Sequence, residues 1–146
     1  MKKNAGFTLI ELIAVMVILA IIAVIAIPQF TDLKDEAAEA AAAGVGGAIA
    51  SATAMNYAKG IANGGGAQEV TGCTATQFDD LLVGASASDA TTLTISGRTY
   101  TIDAADPGNL TVATGATLGC TIKDDGAPNS DPVTFHIVGC DAGCKA

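Results

Sequence analysis

Lys2-Lys3-Asn4-Ala5-Gly6-Phe7-Thr8-Leu9-Ile10-Glu11 opens this chain, and an unbroken apolar run from Leu12 to Ile27 follows it. Two lysines and a glycine come first, one acid sits inside greasy sequence, and no further charge appears until Asp32. A helix rises ~1.5 Å per residue, so Phe7 to Ile27 is long enough for a hydrocarbon layer of ~30 Å. A cleaved secretory signal would also start basic and turn apolar, and Ala23-Val24-Ile25-Ala26 resembles a small-residue cleavage site. Two features oppose that reading. The run exceeds the usual signal core of about 7–15 residues. Glu11 is also a costly residue to place in lipid, at ~2.5–3.5 kcal/mol near mid-membrane. Such an acid points to a function and to a partner.

Gly6-Phe7-Thr8-Leu9-Ile10-Glu11 resembles the prepilin signature of type IV pilins and the related type II secretion pseudopilins. The resemblance rests on a glycine, a large apolar residue, and an acid five positions after the glycine, leading into a membrane-length run. It covers about the first third of the chain. It implies cleavage after Gly6 by a membrane prepilin peptidase and methyltransferase, N-methylation of Phe7, and retention of the apolar helix. Pro28-Gln29-Phe30 and Tyr57-Ala58-Lys59 are similar to the mannose-sensitive-haemagglutinin group of pilins. One departure is visible: many members carry a glycine within the apolar run, where this chain has Ala20 and Ala23.

The chemistry of Glu11 leads the same way. Cleavage after Gly6 would create an amine at Phe7, four residues from Glu11 and on the same helix face. The two charges can neutralise within one chain, or Glu11 can meet the amine of a neighbouring subunit. Desolvation offsets much of the gain from such a pair. Glu11 is therefore expected to set register in assembly more than to add net stability.

Composition narrows the classes. The chain has 146 residues, 50% hydrophobic and only 15% charged, with a formal net charge of -8. That length allows one globular domain behind a membrane segment. Without residues 1–6, five basic residues face 15 acidic ones. Phosphate contacts need clustered Lys and Arg, so nucleic acid is not an expected partner. Lys2 and Lys3 place the leader in the cytoplasm by the positive-inside rule. The rest then lies outside, where disulfides persist.

Pro28 ends the apolar run, and a proline inside a helix removes a hydrogen bond and kinks it. Helical spacing resumes at Phe30, Leu33, Ala37, Ala40 and Ala41 and continues through Ala48, Ile49, Ala52, Met55 and Tyr57. One kinked helix is expected from about Phe7 to about Tyr57 or Ile61, roughly 80 Å at the helical rise. Gly44, Gly46 and Gly47 cost up to ~1 kcal/mol each there. Their expected use is close approach of a sheet or helix, the alternative being a break. Gly60 and Gly64 to Gly66 end the helix. Phe78 to Leu82 suggests a short helix capped by Thr76.

The period then changes to two. Leu93 and Ile95, the turn Ser96-Gly97, and Tyr100 and Ile102 make a hairpin. Leu110 and Val112 suggest a third strand, Leu118, Cys120 and Ile122 a fourth, and Val133, Phe135 and Ile137 a fifth. The expected class is α+β, a long kinked helix packed on a C-terminal antiparallel sheet. That is also the pilin fold which the resemblance implies.

Cys73, Cys120, Cys140 and Cys144 allow three pairings. Pilins often carry a disulfide near the C-terminus, and Cys120 and Cys140 flank the last hairpin. Cys120–Cys140 with Cys73–Cys144 is therefore favoured. Cys140 falls out of phase with Phe135 and Ile137 unless Gly139 forms a bulge, so Cys140–Cys144 with Cys73–Cys120 stays open. The cysteine spacings fit no zinc pattern. Asp124, Asp125, Asn129, Asp131 and Asp141 surround a C-terminal turn and could hold calcium, as in pseudopilins, but no EF-hand spacing is present and a solvated acidic turn is preferred. No metal and no cofactor are expected. His136 is the only histidine, no nucleophile elbow or phosphate loop occurs, and no enzyme is expected.

The expected organisation is a leader over 1–6, a transmembrane and filament-core segment over 7–28, and a periplasmic or extracellular domain over 29–146. Processing falls on Gly6 and Phe7, and assembly on Glu11 and Pro28. The expected function is a structural pilus subunit for adhesion or motility. It starts in the inner membrane and ends in a surface filament (a fimbrium). Its partners are copies of itself, the prepilin peptidase, an inner-membrane assembly platform and membrane lipid. A secretion pseudopilin and a membrane-anchored binding module are the alternatives.

Overall fold

The computed structural model describes residues 6–106, 108 and 111–144. Lys2, Lys3 and Leu110 lie outside the described residues, and so does the rest of the leader before Gly6. The chain forms two compact units, one up to Lys34 and one from Asp35 onward.

Helix α1 runs Leu9–Asn63 and enters both units. In the first unit every large apolar side chain from Phe7 to Leu33 is exposed. Pro28 lies within the helix, as expected.

In the second unit α1 buries Ala38, Ala42, Ile49, Ala52, Thr53 and Asn56. Their spacing follows one helix face. The helix does not break at its glycines. Gly46 is buried, and a Cβ there would lie 3.1 Å from Phe135 Cγ, so its absence lets the sheet come close. Open space surrounds Gly44 and Gly47, and nothing in the structure explains a glycine at either position.

The helix stops in a Schellman turn. Gly65 N–H donates to the Gly60 carbonyl at 2.9 Å and Gly64 N–H to Ile61 at 3.4 Å, with Gly64 at φ 65°. A left-handed glycine here avoids the Cβ penalty.

A short helix, α2, follows at Ala75–Phe78, with Thr74 rather than Thr76 at its N-cap and no side-chain capping bond. Five strands make one antiparallel sheet in sequence order: β1 Ala85–Ala87, β2 Thr92–Ile95, β3 Arg98–Ala104, β4 Thr117–Asp124 and β5 Val133–Val138. The β2–β3 hairpin turns at Ser96 and Gly97, both with positive φ, as a two-residue turn requires.

Two differences from expectation stand out. Strand β1 was not legible, and Val112 is in no strand. Val112 N–H donates to Thr71 at 2.8 Å, while Gly115 N–H donates to Gly139. The segment thus divides its hydrogen bonds between two different stretches and has no single partner strand.

Alternate residues of the strands face α1. Leu93, Tyr100, Ile102, Leu118, Cys120, Ile122, Phe135 and Ile137 are all buried, in one cluster with Ala42, Ile49, Val70 and Phe78. Phe78 and Phe135 meet edge to face at 6.4 Å.

The favoured disulfide pairing is corrected. Cys73 bonds Cys120 and Cys140 bonds Cys144, with Cα separations of 5.7 and 4.8 Å. The sheet register is the reason. Cys120 lies opposite Phe135, five residues short of Cys140. Cys140 has by then left β5 and pairs its backbone with Val70.

Candidate processing and assembly site

Gly6, Phe7 and Thr8 precede the helix in non-helical backbone, and Gly6 and Phe7 are exposed. A Cβ added at Gly6 would meet nothing within 4 Å among the described residues.

The geometry at the helix start is a capping box. Thr8 is the N-cap. Its N–H donates to Glu11 Oε2 at 2.8 Å, and its hydroxyl donates to the same oxygen at 2.7 Å. Glu11 N–H returns a bond to Thr8 Oγ1 at 3.4 Å. Both Thr8 donors thus converge on one oxygen of Glu11. The acid also sits in the first turn, where the helix dipole favours negative charge. The run Thr8-Leu9-Ile10-Glu11, with its T-x-x-E spacing ahead of an apolar segment, carried this signal, and the reading above missed Thr8.

Among the expected site residues, Phe7 lies ahead of α1 rather than on a helix face with Glu11, but the two line a shared apolar recess with Leu12, Ala14 and Val15. The four cysteines are remote from that end in sequence and hold the second unit together.

The acids of the C-terminal turn have separate partners. Asp124 is buried. Its Oδ1 accepts Gly126 N–H at 2.9 Å and its Oδ2 lies 2.5 Å from Arg98 Nη2. Asp125 accepts the Thr101 hydroxyl at 2.7 Å. Asp131 and Asp141 are tied through their backbone N–H groups, to Glu39 and Thr114. Among the described residues no group of three or more metal-ligating side chains occurs. His136 is exposed on β5 across from Gly119.

One polar clamp was also missed. Asn56, buried on α1, donates to the Gln68 carbonyl at 2.7 Å and accepts Gln68 N–H at 2.8 Å. It pins the loop after the helix back onto the helix.

No curated protein and no solved structure matches this chain. Residues 1–27 do match the family model described as the prokaryotic N-terminal methylation motif. The chain thus combines that N-terminal motif, which runs into the long helix, with a five-stranded antiparallel sheet, an α+β, pilin-like arrangement.

Proposed function

We propose that the chain is the precursor of a type IV pilin, a structural subunit and not an enzyme. Processing cuts after Gly6 and methylates the amine of Phe7. Residues 7–28 then hold the subunit in the inner membrane and later pack into a filament core, and 29–146 form the outer globular domain. The partners are the prepilin peptidase, the assembly platform and further copies of the chain.

The observation that carries this reading is Glu11: the sole charge between Phe7 and Thr31, with its two bonds to Thr8 gathered on one oxygen. Oε2 caps the chain's own helix. Oε1 stays open to an amine released at Phe7 or supplied by a neighbour. An acid that only capped the helix would not need to sit in a membrane-length apolar segment, because Ser, Thr, Asp or Asn at the N-cap suffices.

Two further features support the reading. Gly6 is exposed, with nothing within 4 Å of an added Cβ among the described residues, which leaves it accessible to a peptidase subsite. The exposed apolar side chains from Phe7 to Leu33 require lipid or other copies of the chain to cover them.

Replacing Glu11 tests the proposal. Glu11→Val removes a charge that lipid disfavours, so the subunit still enters the membrane and is still cleaved. Sheared surface filaments fall to a small fraction of wild type. Filaments of normal number and length in the variant contradict the pairing role.

The secretion pseudopilin reading would gain from a calcium-holding C-terminal turn. Here Asp124 is taken by Arg98 and Gly126, and Asp125 by Thr101.

A further inference from the structure

We propose that Asn63 is a spontaneous deamidation site, converted through a cyclic imide formed with the backbone nitrogen of Gly64. The two residues are adjacent, and four observations leave the reacting groups exposed and weakly restrained.

Asn63 is the last residue of α1 and is exposed. No hydrogen bond holds its side-chain amide among the described residues. Gly64 is exposed, has no side chain to shield its nitrogen, and has already left the helix at φ 65°. The hydrogen bond that occupies Gly64 N–H, to Ile61, is long at 3.4 Å.

The other described asparagines lack this combination. Asn56 is buried, both ends of its amide bond Gln68, and Tyr57 follows it. Asn129 precedes Ser130, a buried residue whose N–H donates to Ala127 at 3.1 Å.

The step balances with water alone. The Gly64 nitrogen attacks Asn63 Cγ, the N–Cγ bond forms, and the Cγ–Nδ2 bond breaks. The Gly64 amide proton leaves with the departing nitrogen as ammonia. Water then opens the ring at either carbonyl, giving aspartate or isoaspartate at position 63. No electron transfer is involved.

The product changes the helix end in two ways. It places negative charge at a helix C-terminus, where the dipole disfavours it, and the last turn of α1 holds no basic residue. Lys59 is one turn earlier, but a cation N-terminal to an acid is the weaker order for a helical pair. The isoaspartate form also adds a backbone carbon inside the Schellman turn, which breaks the geometry of the Gly65 to Gly60 bond.

Detergent-solubilised full-length chain held at mildly alkaline pH, digested at intervals and mapped by mass spectrometry, tests this. The peptide bearing position 63 gains the amide-to-acid increment and splits into two chromatographic isomers. It does so several-fold faster than the peptides bearing Asn56 and Asn129. Asn63→Gln, whose longer side chain disfavours the five-membered ring, suppresses the change. Retention of the amide at position 63, conversion no faster than at Asn129, or an Asn63→Gln chain that converts as fast as wild type overturns the proposal.

Discussion

Glu11 joins two demands in one carboxylate. One oxygen takes both Thr8 bonds and fixes where the helix begins. The other accepts no hydrogen bond among the described residues. The cap is legible in the Thr8-to-Glu11 spacing, whereas the charge pattern alone points only to an acid in apolar sequence. Asp124 illustrates what the sequence hides. It read as one of several turn acids, yet it is buried and meets Arg98, whose side chain is 51% exposed. The alternation of Leu118, Cys120 and Ile122 places Asp124 on the same inward face, but its partner Arg98 lies on another strand and is not marked in the local sequence. The pair gives a sharp expectation. Arg98→Leu strands a buried carboxylate and should lower unfolding stability by about 3 kcal/mol. Arg98→Leu with Asp124→Asn should recover most of that loss, because the amide carries no charge and can still accept the Gly126 N–H. Chemical denaturation of the two variants reads the difference, and equal losses in both would show that the charge is not what matters.

Among the elements, long periodic segments were legible and short ones were not. Helix α1 ends two residues past the later expected limit, because Gly64 closes the turn rather than Gly60. The hairpin β2–β3 and strands β4 and β5 follow the alternation of Leu93, Tyr100, Ile122 and Ile137 with polar neighbours. Strand β1, Ala-Ser-Ala, has too little apolar contrast to register, and Val112 registered falsely because its burial comes from loop packing. The glycines of α1 are equally mixed. At Gly60 an added Cβ would collide with Cys144, whose disulfide prevents it from moving away. Gly60→Ala should therefore cost about 1–3 kcal/mol. At Gly47, where nothing lies within 4 Å, Gly47→Ala should add up to ~1 kcal/mol of stability through helix propensity. Thermal unfolding in detergent separates the signs, and two changes of the same sign would contradict the packing described.

The disulfides belong to the same scale. Their pairing depends on register, which the count of cysteines does not reveal. Cys73–Cys120 closes a separation of 47 residues and Cys140–Cys144 one of four. Chain-entropy reasoning gives about 4 kcal/mol for the first and about 2 for the second. Replacing both cysteines of the long bridge should thus destabilise the protein roughly twice as much as replacing both of the short one. Similar losses would argue against loop closure as the main source of the stabilisation.

The molecule as a whole divides its apolar surface between two solvents. The unit from Asp35 onward buries its own core of sheet, helix and disulfides. The unit up to Lys34 buries almost none of its large apolar side chains. Under the proposed processing, loss of the leader would place a positive charge at Phe7, four residues from Glu11. This account depends most directly on where the mature polypeptide begins. Intact-mass and N-terminal sequencing of the protein extracted from membranes should find N-methylated Phe7 as the first residue. A chain that starts at Met1, or at any residue past Ala26, would contradict it.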